Sequence, residues 1–419
     1  MNKIIKILKT PSLRKKVLFI LGILVIFRIA AAIPIPGIDT SRLVQYFNQN
    51  QLLGLFSMFT GGGLEKLSIV MLGVSPYITG SIIMQLLTMI FPALERMYKY
   101  EGEAGKAKFN QYSRILTIPL SFLQGFGFLS LFQRQGIIDQ LTTGQWIISL
   151  TVATAGSLFL MWLGELITEK NIGNGISLII FAGIVARGPQ SIKEILLTYE
   201  PSQFFTYAAF IVVALLIIAG VVYITEAQRN VPINYAKRVR GFKMFGGVST
   251  YLPMRLNQAG VIPIIFALSI LLFPGMIANF FAGTNIKIIS SISTAINSLL
   301  NNQVFYGVAY FILVALFTYF YTSVTFDPKS ISTNIQKQGG YIPGIRPGEP
   351  TTTFLNHLLN RITLVGALFL GVIAVLPNII KGITGIAAFT IGGTSLLIVV
   401  SVAIETMKQV EGELSMYEY

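Results

Sequence analysis

Long apolar runs, separated by mostly short polar connections, form the dominant pattern along the chain. A helix needs about 20 apolar residues to cross the hydrocarbon core of a bilayer. Ten runs approach or exceed this length, the fifth and the last two being short or interrupted: 17–33, 67–91, 115–132, 146–167, 176–197, 203–224, 258–280, 304–326, 362–380 and 383–404. The pattern predicts an all-α integral membrane protein with ten transmembrane helices, and the even number places both termini on one side.

The composition agrees with a membrane environment. Hydrophobic residues occupy 53% of the 419 positions and charged residues only 11%, whereas a soluble protein has about 25% charged residues. The chain contains no cysteine and a single histidine, His357, which is expected to be a solvated loop side chain. Disulfides, thiolate chemistry, cysteine-ligated metals and histidine clusters are therefore excluded.

The distribution of lysine and arginine predicts the orientation, because cytoplasmic loops of membrane proteins carry the excess of basic residues. Of the 31 basic residues, 23 fall on the side of the chain termini and seven in the opposite loops. The remaining one, Arg28, lies toward the outer end of the first predicted span and is expected to reach the membrane interface. Both termini are therefore predicted to face the cytoplasm.

Two predicted cytoplasmic loops, 225–257 and 327–361, are too long to be simple connections. The first contains two strand-like pieces with a bend between them, which predicts a protruding hairpin. In the second, GGYIPGIRPGEPTTTF (339–354) has prolines and glycines that present Arg346 at a fixed tip. Either these loops only concentrate positive charge and contact lipid, or they form a docking platform for an acidic or nucleic-acid-bearing partner. The basic residues of the hairpin are Lys237, Arg238, Arg240, Lys243 and Arg255.

Chemistry-bearing residues are scarce within the spans. The main polar residues at depth are Gln85, Gln124 and Asn257, while Glu165 is expected to be a solvated charge at the cytoplasmic end of the fourth span. The sequence has no HExxH, no Walker A loop and no nucleophile with a histidine partner, so an enzyme is not expected. A transporter usually carries charged or ion-binding residues near the membrane midplane, and this chain has very few.

A weak internal repeat links two of the predicted spans. GVSPYITGSIIMQLLTMIFP (73–92) and GVIPIIFALSILLFP (260–274) both open with G-V-x-P and close with F-P. They fall in the second and seventh spans, which are the second members of two five-span halves. Because five is odd, the halves would insert with opposite topology, as in inverted-repeat membrane proteins.

One stretch does not fit a lipid-facing helix: SMFTGGGLEKLSIVMLGVSP (57–76) places three glycines and two charges beside a predicted span. Seven other motifs give this stretch a context. They are IPIPGID (33–39), PYITGSIIMQLL (76–87), FLMWLGELITEKNIGNGIS (159–177), NYAKR (234–238), AGVIPIIFA (259–267), GIRPGE (344–349) and GGTSLLIVV (392–400). With these motifs in this order, the chain resembles the SecY family of protein-conducting channel subunits over essentially its full length.

The resemblance implies a fold and a set of site residues. The fold would be two inverted five-helix halves, 1–198 and 199–419, with a plug over 57–70 that forms a short helix folded back into the outer funnel. Glycines would make the plug mobile, and its charges would lie in the water-filled funnel. The plug residues are Gly61, Gly62, Gly63, Leu64, Glu65 and Lys66.

A pore ring and a lateral gate are implied in the same way. The ring residues are Val74, Ile78, Ile180, Ile265 and Ile398. The gate would lie between the second and third spans on one side and the seventh and eighth on the other. Gln85 and Asn257 would belong to its polar cluster, with weak hydrogen bonding across the seam.

The implied function is that of a passive channel without enzymatic activity or cofactor. It would pass unfolded secretory proteins across the bacterial plasma membrane and release transmembrane segments sideways into the lipid. The implied partners are SecE as a clamp, SecG, signal peptides and unfolded preproteins, membrane lipids, and the SecA ATPase or the ribosome, which would dock on Arg346 and the basic hairpin. The alternatives are a specialised accessory translocase paralogue, a ribosome-binding scaffold that does not conduct, and an inverted-repeat solute transporter.

Overall fold

The computed structural model describes residues 10–36, 38, 43, 57, 60–197, 204–235, 238–240, 243–245, 249–281, 287–384 and 392–416. Helices account for most of these residues, and two small sheets contain the strands. The helices are α1 (Pro11–Ala32), α2 (Ser75–Ile90), α3 (Pro92–Lys99), α4 (Gly102–Arg134), α5 (Thr143–Thr168), α6 (Gly175–Leu197), α7 (Phe204–Glu226), α8 (Ile262–Phe281), α9 (Lys287–Asn301), α10 (Gln303–Thr325), α11 (Pro328–Lys337), α12 (Glu349–Thr384) and α13 (Gly392–Met416).

Local sequence signals explain where several helices begin. Pro11, Pro92 and Pro328 lie in the first turn of α1, α3 and α11, where the fixed φ of proline fits and its missing N–H would have had no partner. At the start of α5, Thr142 and Gln145 form a capping box. The two side chains satisfy N–H groups that the first helical turn leaves free.

The second predicted span begins later than its apolar run. Residues 60–74 form a series of turns, and α2 starts only at Ser75. Gly61, Gly62 and Gly73 adopt positive φ, a conformation that interrupts a helix and that glycine tolerates best. After α2 the chain bends by 112° into α3. The apolar character of 67–74 therefore does not indicate a helix.

Other helices differ from the apolar runs in length or were not predicted by them. The amino-terminal end of α4 and α12 and the carboxyl end of α13 extend beyond the predicted spans into polar sequence. Helices α9 and α11 lie in segments that connect predicted spans. Their polar residues make them too hydrophilic to be predicted as spans. Hydropathy detects the part of a helix that lies in lipid, so it misses these extensions.

The predicted hairpin in the first long loop is confirmed. Strands β1 (Gln228–Tyr235) and β4 (Ser249–Arg255) pair antiparallel, from Gln228 opposite Arg255 to Asn234 opposite Ser249. Beyond them, β2 (Arg238–Arg240) pairs with β3 (Lys243–Phe245). The second long loop adds β5 (Gly340–Tyr341) to the other edge of β1, so a single small sheet ties the two long loops together.

The apolar helices form two sets with contacts between them. One set is α1, α2, α4, α5 and α6, and the other is α7, α8, α10, α12 and α13; neighbours within each set pack against each other. Between the sets, α8 packs against α2 and α4, and α13 packs against α6. One large buried cluster includes apolar side chains of both sets. The sets therefore meet along two lines, which we call the α8 seam and the α13 seam.

By length and hydropathy, five helical stretches of the described chain can each cross a membrane: Gly102–Arg134, Thr143–Thr168, Tyr207–Glu226, Gln303–Lys337 and Glu349–Ile380. The bent pair of α2 and α3 makes a sixth when it is counted as one span. Helices α1, α6, α8 and α13 coincide with other predicted runs. The total of ten spans stays a prediction.

Candidate functional site

The five residues predicted for the pore ring lie in one buried cluster. Val74 directly precedes α2, and Ile78, Ile180, Ile265 and Ile398 belong to α2, α6, α8 and α13. All five are buried, and the most exposed is Ile78, at 8%. Helices from both sets therefore contribute these branched side chains to one extended apolar core. Such side chains offer no hydrogen bonds to water or ions.

A cavity of about 430 Å³ opens against two of the ring residues, Ile78 and Ile265. Its wall also includes polar side chains, among them Gln85 and an ion pair. In that pair, Arg114 Nε donates to Glu165 Oε1 at 2.6 Å. Glu165 lies near the end of α5 and remains partly exposed, as expected for a boundary charge, and its carboxylate also joins α5 to α4 at the rim of the cavity.

A second cavity, of about 150 Å³, adjoins the first and shares Asn174 and Tyr321 with it. It is lined by charged groups of the second set, including Glu405 and Lys408. Lys408 Nζ also forms an ion pair of 2.9 Å with Glu226 Oε1, which links α13 to the end of α7. We call the two cavities together the vestibule, a space of mixed polar and apolar lining that reaches the ring residues Ile78 and Ile265.

The two predicted gate residues are not joined by a hydrogen bond. Gln85 of α2 lies beside α8 on the wall of the first cavity, whereas Asn257 precedes α8 and lies on the wall of the second. Gln85 Nε2 donates to Ser81 Oγ at 3.4 Å, and Asn257 Nδ2 donates to the carbonyl of Gly260 at 3.2 Å. Both bonds stay within one segment of chain. The amide oxygens of Gln85 and Asn257 are buried without a hydrogen-bond partner, so these residues do not form the cross-seam bond that the resemblance implies.

We call residues 57–70 the plug segment. Over residues 60–70 its backbone does not form the expected short helix. These residues form turns, and Pro34 and Ser68 face each other in an antiparallel bridge. Leu64 and Leu67 are fully buried in a cluster that includes side chains of α4 and α5. The segment is therefore fixed by packing and by backbone pairing to the stretch that follows α1.

The glycines of the plug segment permit close contact at two of three positions. Gly61 has φ +68°, and a Cβ atom there would lie 2.6 Å from Cζ of Phe27. A Cβ atom at Gly63 would lie 2.8 Å from Ser68 Oγ. Only Gly62 has nothing within 4 Å of that position. Close packing therefore explains why glycine occupies positions 61 and 63, because any larger residue would clash there. The expected mobility is not needed as an explanation at these two positions.

Two arginines contact the plug segment. Arg187 of α6 forms an ion pair with Glu65, and its Nη1 donates to Ser57 Oγ at 3.3 Å. Arg28 of α1 donates from Nη1 to the carbonyl of Gly61 at 2.6 Å, so it does not simply reach the membrane interface as expected. Of the two plug charges, only Lys66 is exposed.

The predicted docking residues lie on the two long loops. Lys237 falls outside the described residues, Arg238 and Arg240 belong to β2, and Lys243 belongs to β3. Arg255 ends β4 and is exposed. In sequence, β2 and β3 lie between β1 and β4, at the end of that pair that is not joined to α7 and α8.

Arg346 is exposed on a loop that hydrogen bonds hold in shape. Its carbonyl accepts a bond from Thr351 Oγ1 at 2.9 Å, and the carbonyl of Gly348 accepts one from Ser332 Oγ at 2.8 Å. Asp327 caps α11 just before this loop. Partial burial acts to raise the pKa of Asp327, but bonds from Ser330 and Lys329 outweigh it, and the pKa lies below its usual value. The tip is therefore preformed, as the prolines and glycines predict.

An apolar cavity of about 470 Å³ lies between α1, α6 and α13. Its lining is almost entirely hydrophobic and comes from both sets of helices. Polar contacts bracket it: Lys16 Nζ pairs with Glu413 at 2.6 Å, and the Gln409 side chain accepts from the backbone N–H of Gly173. The carboxyl-terminal part of α13 thus connects the two sets beside an open apolar groove.

Comparison with known proteins gives consistent matches. The sequence model of the SecY family matches residues 68–407. The protein translocase subunit SecY of Streptomyces galbus is 43% identical over 98% of this chain and 97% of its own length.

Two solved structures share the fold. One, described as the structure of a protein conducting channel, has a TM-score of 0.64 at 21% identity and covers 94% of this chain and 91% of its own. The other, Sec61 in the canine ribosome-channel complex from the endoplasmic reticulum, has a TM-score of 0.62 at 20% identity, covering 95% and 92%. Together with the membrane-crossing helices, these matches make the chain a multi-pass membrane protein, and it belongs to the SecY family.

Proposed function

We propose that this chain is the protein-conducting channel subunit of a translocase. It passes unfolded secretory proteins across the membrane and releases transmembrane segments sideways into the lipid. The observation that carries the proposal is that the five ring residues are buried in one apolar cluster and that two of them, Ile78 and Ile265, line the vestibule. A transporter would need ion ligands or paired charges at that depth, and the ring is purely apolar.

The ring works as a compliant gasket. Branched apolar side chains around a narrow neck exclude water by dewetting, and they separate around a polypeptide of any sequence because they make no specific bonds to it. The plug segment adds a second barrier on the other side of the neck. The α8 seam is the lateral gate, and the unsatisfied amide oxygens of Gln85 and Asn257 mark it as a place that a polar or helical ligand can stabilise.

The two halves, 1–198 and 199–419, move relative to each other in this mechanism. Support comes from the packing of the helices in two sets that meet along the α8 and α13 seams. SecE, as a clamp, would occupy the apolar groove between α1, α6 and α13, since that groove spans both sets. SecG completes the complex in the bacterial plasma membrane, where the basic loops and both termini face the cytoplasm.

Energy comes from a partner. The chain has no nucleotide-binding motif, so the SecA ATPase or the ribosome drives transport after docking on the hairpin and on Arg346. A preformed, exposed arginine suits such a contact, because little conformational entropy is lost when it binds. Replacing Arg346 with Glu should abolish SecA-driven export while the subunit stays folded. Lys329→Glu, on the same loop, is the control; equal export by both variants would remove Arg346 from the docking surface.

Reconstitution tests the function as a whole. This chain and SecE are placed in lipid vesicles, SecA, ATP and a signal-bearing precursor are added, and protease-protected precursor is measured. Protection that requires both ATP and the signal supports the channel. Binding of SecA or ribosomes without protection would favour the scaffold or a specialised paralogue with its own motor.

A further inference from the structure

We propose that the ion pair of Glu65 with Arg187 is a latch that holds the plug segment closed against α6, and that this pair must separate before the outer path opens. The inference rests on the proposed channel function and assigns a positioning role to both residues. From the sequence alone, Arg187 is one of seven basic residues outside the predicted cytoplasmic loops. The family resemblance implies for Glu65 only a solvated charge in the outer funnel.

One arginine binds two points of the plug segment, at its first residue and near its middle. The Arg187 guanidinium contacts the Glu65 carboxylate through Nη2 and donates from Nη1 to Ser57 Oγ at 3.3 Å. The side chains of Arg187 and Glu65 are 13% and 12% exposed, so water has little access to either charge. Removing one partner of such a pair leaves the other charge buried and uncompensated.

Arg28 makes a second contact of the same kind. Its Nη1 donates to the Gly61 carbonyl at 2.6 Å, at the position where Phe27 leaves no space for a Cβ atom. Arg28 and Arg187 both lie in apolar helices, where an arginine is costly without a partner. The plug segment supplies a carboxylate to one and a carbonyl to the other, so both cations favour the closed position.

The location of these contacts separates the latch from the lateral gate. Within the described chain, the arginines that contact the plug segment belong to α1 and α6, which are in the same set of helices. The lateral gate is the α8 seam between the two sets. Separation of the sets at that seam does not pull on the latch, so plug release is a distinct step that an entering chain must cause.

Charge-neutral variants test the latch in the complete reconstituted complex. Glu65→Gln and Arg187→Gln should each raise resting potassium efflux from vesicles by roughly tenfold or more, because loss of an ionic partner shifts the closed–open equilibrium by at least that factor. The double variant should leak no more than the single ones. Exchange of the charges, Glu65→Arg with Arg187→Glu, should reduce the leak toward the wild-type level. Lys66→Gln removes an adjacent, exposed charge as the matched control and should not leak.

Three results would overturn the latch: single variants as tight as the wild type, a leak of equal size in Lys66→Gln, or additive leaks in the double variant. The exchange variant keeps a complete pair, so it tests the proposal even where a single variant accumulates poorly. A wild-type complex that neither protects precursor nor conducts when a chain is inserted would refute the channel function itself. A working wild type with tight variants would refute only the latch.

Discussion

The contact between α5 and the end of the plug segment gives a sharp test at Gly156. A Cβ atom at this position would lie 1.9 Å from the Ile69 carbonyl oxygen and 3.2 Å from the Val70 Cα. A normal C···O contact is about 3.3 Å, so in Gly156→Ala one backbone must move by about 1.4 Å. The atoms that clash belong to backbone and not to a flexible side chain, so a rotamer change cannot relieve the clash.

The magnitude follows from two opposing terms. Overpacking of a tight core costs about 1–3 kcal/mol, and alanine regains up to about 1 kcal/mol of helix propensity relative to glycine. Because backbone atoms clash, we expect the upper part of the range and a net loss of about 1–2 kcal/mol. If the plug segment moves and α5 does not, Ile69 and Val70 shift away from α5, and Val74 of the ring shifts with them.

Both consequences are measurable against a control in the same helix. Gly144 of α5 has nothing within 4 Å of its Cβ position, so Gly144→Ala should be neutral or slightly stabilising. Denaturant unfolding in detergent measures the loss of stability, and potassium efflux from vesicles measures the displacement of the plug. If the Gly156 and Gly144 variants match in both assays, the close packing of α5 on the plug segment is refuted.

Three further predictions concern the neck, the plug segment and the second long loop. Replacing Ile78 and Ile180 with serine should let ions leak through the resting channel, because hydroxyl groups allow water to enter the neck; unchanged conductance would argue against these positions as the seal. Pro34 and Ser68 are bridge partners at a Cα separation suited to a disulfide, so Pro34→Cys with Ser68→Cys should block export until reductant is added. Export by the fully oxidised protein would mean that the plug segment does not move. Asp327→Ala should cost about 1 kcal/mol of local stability through loss of the α11 cap, measured by hydrogen exchange, with Asp327→Asn as the control. The pKa of Asp327 is lowered in the folded state, so its contribution to stability is fully present above the unfolded pKa of about 3.9. This contribution is lost as the pH falls through the folded pKa. A stability difference between Asp327→Ala and the wild type that persists at lower pH would contradict this assignment.

The sequence predicts the long helices and the hairpin well because both signals are local. An apolar run of sufficient length, or alternating strands around a bend, needs no knowledge of the rest of the chain. The turns of 60–74 could not be predicted in this way. Leu64, Leu67 and Met71 are apolar because they pack in a cluster with α4 and α5, and hydropathy reports burial without distinguishing a turn from a helix.

The candidate site depends on contacts between residues that are distant in sequence. Nothing in the sequence distinguishes Ile180 and Ile398 from the other isoleucines of their helices. Only the family resemblance identifies them as ring residues. Arg28 and Arg187 do carry a signal in the sequence, because an arginine in an apolar helix requires a partner. The partners, in the plug segment, emerge only from the fold.

In the proposed mechanism, the closed state combines two barriers with different physical properties. The proposed ring would close by apolar contact, whereas a few discrete polar bonds hold the plug segment. Of the five ring residues, only Ile265 and Ile398 come from the second set of helices, and the ion pair of Glu65 and Arg187 lies entirely within the first. When the sets separate at the α8 seam, the ring loses part of its wall while the plug stays latched. A hydrophobic segment can then leave sideways into lipid while the plug segment stays in the outer path.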